Sequence, residues 1–115
     1  MTIAAAFQVA FKGLGYAIHH QRNIKIHLLA TGVVVAAGWY TALSRWEWCA
    51  VLLCCAAVIS LELMNTALET LTDLVSPHYH ELAGRTKDVA AAAVLVFSLF
   101  SIVIAAIIFI PHFLS

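Results

Sequence analysis

Three long stretches of the chain are nearly free of charge. From Ile26 to Ser44 the only side chain that charges near neutral pH is His27. From Trp48 to Leu61 there is none, and Val89 to Ile110 is 22 residues without one. A bilayer core takes about 20 mostly apolar residues per helix. The pattern therefore predicts three spans, at about 27–44, 48–70 and 88–110. Residues 1–25 follow another rule. Phe7, Phe11, Leu14 and Ile18 recur at spacings of four, three and four, which is one helical face, while Gln8, Lys12, His19 and Arg22 fall elsewhere. This predicts an amphipathic helix on the membrane surface, although a helix packed on the bundle would carry the same stripe. Gly13 and Gly15 each cost up to about 1 kcal/mol against Ala inside a helix and invite a bend. No repeat, low-complexity linker or removable signal peptide is apparent.

Composition agrees. Of 115 residues, 63% are hydrophobic and 10% charged, against roughly 25% charged in an ordinary soluble domain, and mean hydropathy is +0.97. The expected fold is an all-α membrane protein, one domain over 1–115 with three transmembrane helices behind a surface helix. Six Lys/Arg balance six Asp/Glu, so no basic field points to nucleic acid. Cys49, Cys54 and Cys55 fall in one apolar run at a spacing that suits neither a disulfide framework nor a metal knuckle, so apolar filling is expected of them.

Lys12, Arg22, Lys25, Arg85 and Lys87 lie on one side of the spans, and Arg45 alone on the other. The positive-inside rule then puts the N-terminus and the 71–87 loop in the cytoplasm, and the C-terminus outside. Trp46 and Trp48 suit an aromatic belt at the outer face.

The polar residues of the second span stand out. Glu62 comes after fourteen uncharged residues, roughly 20 Å along a helix. An acid near a span's centre costs about 2.5–3.5 kcal/mol on insertion scales. Asn65, Thr66, Glu69 and Asp73 continue at helical spacing on the same face, with Glu62 and Glu69 about 10 Å apart along the axis. Two acids on one stripe repel unless a cation or a reacting group sits between them. Otherwise the helix leaves the membrane early and these acids are simply wet.

The following loop, Val75 to Asp88, holds His78, His80 and Glu81, metal-ligand residue types without the cysteines that accompany them in many zinc sites. They suit a hydrated loop equally. Pro77 suits a turn, and Gly84 would permit close backbone approach. Arg85 and Lys87 suit either phosphate contacts or topology alone, and Asp88 would complement a helix dipole at the start of the third span.

Carboxylates able to hold Mg²⁺, bases able to meet phosphate and a membrane location suggest phosphoryl chemistry at the membrane surface. A carboxylate withdrawn from water also makes a competent general base. No Walker A or kinase-type glycine loop is present.

The helix Glu62-Leu63-Met64-Asn65-Thr66-Ala67-Leu68-Glu69 resembles the E-x-x-N-(S/T)-A-x-E helix of the prokaryotic diacylglycerol kinase family, which includes undecaprenol kinases. Asp73-Leu74-Val75-Ser76-Pro77-His78-Tyr79-His80 and the Lys87-Asp88 pair before Val89-Ala90-Ala91-Ala92-Ala93-Val94 resemble its next two motifs, as do Phe11-Lys12-Gly13-Leu14 and Arg22-Asn23-Ile24-Lys25-Ile26-His27 upstream.

The resemblance implies a bacterial inner-membrane homotrimer with sites shared between subunits, and ATP- and Mg²⁺-dependent phosphorylation of a lipid alcohol, diacylglycerol or undecaprenol. A composite site also matches the expectation that one three-helix chain shields these acids poorly. By resemblance, Glu62 is the general base, Asn65 supports the base or substrate, and Glu69 ligates Mg²⁺ at the ATP phosphates. His78, Tyr79, His80, Lys87 and Asp88 contact the nucleotide. Gln21 stands where many members have a second metal-ligating Glu. It keeps a carbonyl oxygen and loses the charge. Thr2 and Val9 replace an Arg and a Tyr that serve substrate and ATP binding in the enterobacterial enzyme, which places the chain nearer the undecaprenol kinases. Two other classes compete: a small proton-coupled transporter using Glu62, which usually has four spans, and a structural subunit whose acids pair with a partner helix.

Overall fold

The computed structural model describes residues 1–115 as α1 (Ile3–His20), α2 (Arg22–Thr41), α3 (Arg45–Val75) and α4 (Glu81–Leu114). Thr2 starts α1 by accepting the Ala5 N–H at 3.1 Å. The helix runs unbroken through Gly13 and Gly15. The bend comes later, at Gln21, whose backbone is extended (φ −119°, ψ 118°). The N-terminal helix thus ends at His20 and not near residue 25, and the residues from Arg22 onward already belong to the first span.

Between α2 and α3 the chain turns in three residues. Ala42 adopts a left-handed conformation (φ 55°), and the Ala42 and Leu43 N–H groups close on the Trp39 and Gly38 carbonyls. Ser44 then caps α3 through a reciprocal box. Its hydroxyl accepts the Glu47 N–H at 3.2 Å, and its own N–H donates to Glu47 Oε1 at 2.9 Å, which satisfies two otherwise orphaned donors.

Helices α3 and α4 have 31 and 34 residues, about 45–50 Å each at 1.5 Å per residue. That exceeds a hydrocarbon core of about 30 Å, so both project beyond it. The expected 71–87 loop accordingly shrinks to residues 76–80, and Arg85, Lys87 and Asp88 are helical. Pro77 ends α3 by pushing the residue before it out of helical geometry. His80 begins α4, its Nδ1 accepting the Leu82 N–H at 3.1 Å. Glu81, not Asp88, supplies the acid in the first turn of α4.

α3 is the hub, packing on α4 most extensively and also on α2 and α1. Only 13 of 115 residues are buried. The three long helices are apolar enough to cross a membrane, so their outward Leu, Val, Ile and Phe side chains have lipid as solvent. One end of the bundle closes on Leu43, Val51 and Ile108. There Trp48 meets the protein on one face. It is half-buried, its ring lying over Gly38. Trp46 is exposed as expected, beside Trp39 and Tyr40 in sequence at the same end.

α1 divides. Ala17 is buried and Leu14 and Ile18 are half-buried, while Phe7 and Phe11 are exposed with ring centroids 6.5 Å apart. The C-terminal half therefore packs on the protein, and the N-terminal half presents its aromatic pair outward. Antiparallel α3 and α4 bring Asp73 to Lys87 at one end and Glu47 to His112 at the other. Arg22, Lys25, Arg85 and Lys87 consequently share one end of the bundle, and Arg45 lies at the opposite end.

Candidate functional site

The polar stripe on α3 emerges as the helical period requires. Glu62, Asn65 and Thr66 are 2%, 5% and 6% exposed, Glu69 is half-buried, and Asp73 is exposed. A single chain thus shields Glu62 and Asn65 almost completely, against the expectation that it could not. His27 from α2 and the buried Val94 from α4 line the cavity beside them. The Thr66 hydroxyl bonds back to the Glu62 carbonyl at 3.0 Å, leaving the carboxylate free.

Asn65 Nδ2 donates to Glu69 Oε1 at 2.9 Å. Its own Oδ1 is buried and makes no hydrogen bond within the protein. A buried carbonyl oxygen normally finds a partner, so this oxygen is positioned for a ligand or water. Glu62 and Asn65 open into a cavity of about 330 Å³ that α2 and α4 also line, with Asn23, His27 and Ser98 as its other polar residues. A second cavity of about 250 Å³, mostly apolar, shares His27 and Ser98 with the first and continues past Val58, Val51 and Val34. The carboxylate's cavity and the hydrocarbon-lined groove are therefore neighbours, with His27 and Ser98 between them.

His27 is the site residue that the sequence left unassigned. Its Nε2 lies 3.6 Å from Glu62 Oε2. It was visible as the sole ionisable interruption of the first span, but its facing the second span's acid depends on how α2 and α3 pack.

At the charged end, Lys87 Nζ donates to Asp73 Oδ1. That hydrogen bond, and after desolvation the Asp73 and Glu69 charges, hold Lys87 above the usual lysine range. The pair is exposed and screened by water, so Lys87 can exchange Asp73 for an incoming phosphate. Arg85 is occupied by Glu81 at 2.7 Å on its own helix.

The remaining expected residues do not converge in the single chain. Tyr79 is exposed, and His78 contributes its carbonyl to the Ser76 hydroxyl. His80 serves as the α4 cap. Asp88 is exposed. Gln21 is half-buried, with its backbone N–H on the Ala17 carbonyl. No three His, Cys, Asp or Glu side chains cluster as a metal cage, so His78, His80 and Glu81 form no such site. Mg²⁺ needs less: one or two carboxylates, completed by water and substrate phosphates. The hard oxygen of Glu69, held by Asn65 near Lys87, fits that requirement.

Residues 8–109 match the family model for prokaryotic diacylglycerol kinase. The chain is 38% identical over 106 residues to the undecaprenol kinase of Bacillus subtilis (strain 168), covering 92% of this chain and 86% of that one. It is 36% identical over 114 residues to a diacylglycerol kinase of Synechocystis, covering 98% of this chain and 65% of that longer one. A diacylglycerol kinase of Helicobacter pylori is 32% identical over 101 residues, with 78% of it covered. The transporter alternative finds no support among these relatives.

Proposed function

The chain belongs to the prokaryotic diacylglycerol kinase family, a family of bacterial membrane lipid kinases, and on that premise we propose that it transfers the γ-phosphate of ATP to the hydroxyl of a membrane lipid alcohol. The observation that carries this is the Glu62 cavity: a carboxylate 2% exposed, in a cavity that shares His27 and Ser98 with a neighbouring apolar groove and, by helical rise, about 10 Å from Glu69 towards the charged end.

In this proposal the lipid tail lies among the apolar residues and its hydroxyl reaches Glu62, which takes the proton as the oxygen attacks the γ-phosphorus and ADP leaves with the bridging oxygen. Asn65 orients Glu69 and hydrogen-bonds at the reacting end. Glu69 would hold Mg²⁺, with Gln21 as a neutral oxygen donor. The ion would supply charge neutralisation on the phosphates. Lys87 meets the phosphates from α4. Asp88, His78, Tyr79 and His80 flank the nucleotide from the same end. Phosphoryl transfer depends chiefly on positioning and charge stabilisation, which an arrangement of one base, one acid and one lysine can provide.

We further propose a homotrimer with sites shared between subunits, which would bring a neighbour's residues to the exposed nucleotide side, and an orientation with the basic end in the cytoplasm. Undecaprenol is the preferred acceptor. The 38% identity to a relative of that name, over 86% of its length, supports this choice. The test is purified protein in bilayers with Mg²⁺ and γ-labelled ATP, offered undecaprenol and diacylglycerol in equal amounts. Labelled undecaprenyl phosphate is expected to dominate. Labelled phosphatidic acid in its place would reverse the acceptor, and no labelled lipid would refute the activity.

A further inference from the structure

We propose that His27 is a positioning residue for Glu62, carrying the proton that the two side chains share and so keeping the carboxylate ionised and ready to accept another. This rests on the kinase assignment of Glu62. A buried carboxylate without a partner favours its neutral form, because ionisation in a medium of low polarity is heavily penalised. Nothing else in the cavity opposes that tendency. The polar groups facing Glu62 are Asn23 and His27 from α2, Asn65 from α3 and Ser98 from α4, and α1 contributes none. Of these, His27 alone can become a cation. At 3.6 Å its Nε2 is too far for a short hydrogen bond, yet well within the range where an opposite charge decides which form a carboxyl adopts.

His27 also lines both cavities, standing where the acceptor's hydroxyl would pass from the groove to the base. With the proton on Glu62 the enzyme has no base. With it on His27 the base is armed and the two charges offset each other.

Dicyclohexylcarbodiimide reacts with protonated carboxyl groups in apolar surroundings, so its rate of attachment to Glu62, followed by mass spectrometry at pH 7, reports the proton's location without turnover. In His27→Leu, Glu62 is expected to label several-fold faster than in the native chain, about 10-fold being the most that the smallest effect of an opposite charge at this distance can give. If the Leu variant does not fold, a smaller acceleration is expected in His27→Gln, which lacks the charge but can still offer Glu62 an amide N–H. Gln can extend an amide N–H to nearly the position of Nε2. Its kcat should therefore exceed that of His27→Leu, while KM for ATP stays within about twofold in both. Equal or slower labelling of Glu62 in the variants overturns the proposal, as does a rise in the KM for ATP with kcat unchanged. Because labelling needs no phosphate transfer, a native protein inactive as a kinase would sink the proposed function while leaving the His27–Glu62 pairing to be decided by the labelling rates.

Discussion

Replacing Glu62 by Gln separates chemistry from architecture. The amide has the carboxylate's shape, so the packing that leaves this position 2% exposed is retained. What disappears is the proton acceptor. General bases contribute typically about 10²–10⁴-fold, or about 3–5 kcal/mol of barrier, and kcat should fall by that factor with KM for ATP nearly unchanged. Stability should move the other way or not at all, since an acid near a span's centre costs about 2.5–3.5 kcal/mol on insertion scales and the amide is cheaper to bury. Glu62→Asp supplies a geometric control. It keeps the charge but withdraws it by one methylene, and a displacement on the order of 1 Å can cost about 10²-fold. The assay is single-turnover transfer from γ-labelled ATP to lipid in bilayers, alongside thermal unfolding in detergent. A Gln variant within threefold of native activity, or one whose loss of activity merely tracks unfolding, would refute the role of Glu62.

Other perturbations probe the frame around the site. A methyl group on Gly38 would lie 2.8 Å from Trp48 Cη2 and 2.9 Å from Leu43 Cδ1. Gly38→Ala should therefore destabilise by up to about 2 kcal/mol, an overpacking cost less the helix gain, and Trp48→Phe should relieve part of it. Additive effects in the double variant would show that the ring does not set the spacing. Glu47, outside the uncharged stretch of α3, is held below the usual carboxylate range by the Ser44 N–H first and by His112. A depressed carboxyl contributes stability that is present above its unfolded value and lost as pH falls through the folded one. The Tm difference between native protein and Glu47→Gln should therefore be full near neutrality and vanish on acidification. A difference constant with pH would contradict this. Gln21→Glu should lower the Mg²⁺ concentration for half-maximal activity by adding a charged oxygen donor. An unchanged Mg²⁺ dependence would remove Gln21 from the metal site.

Much was legible in the chain itself because membrane helices obey a one-dimensional rule. Every backbone polar group must be satisfied within the segment, so runs without charge mark spans directly, and the 3.6-residue period assigns Glu62, Asn65, Thr66 and Glu69 to one face. Three helices, the amphipathic N-terminal segment and the acid stripe all appear in the structure where periodicity puts them. Boundaries were less legible. Nothing local stops α3 at the membrane edge, so it continues to Val75, and the break expected at Gly13 or Gly15 falls instead at Gln21.

The sequence by itself determined the number of spans, the face that carries the acids and the motif that assigns the family, since each depends on spacing along a single helix. Only the tertiary structure decided that Glu62 is enclosed within one chain, that His27 faces it across a helix boundary, that Asp73 meets Lys87, and that Trp48 packs on Gly38. Those facts depend on the relative rotation and depth of separate helices. Hydrophobic patterning constrains these poorly when lipid and protein interior are equally apolar, because turning a helix then exchanges one greasy neighbour for another. The few polar side chains and small residues at the interfaces break that degeneracy.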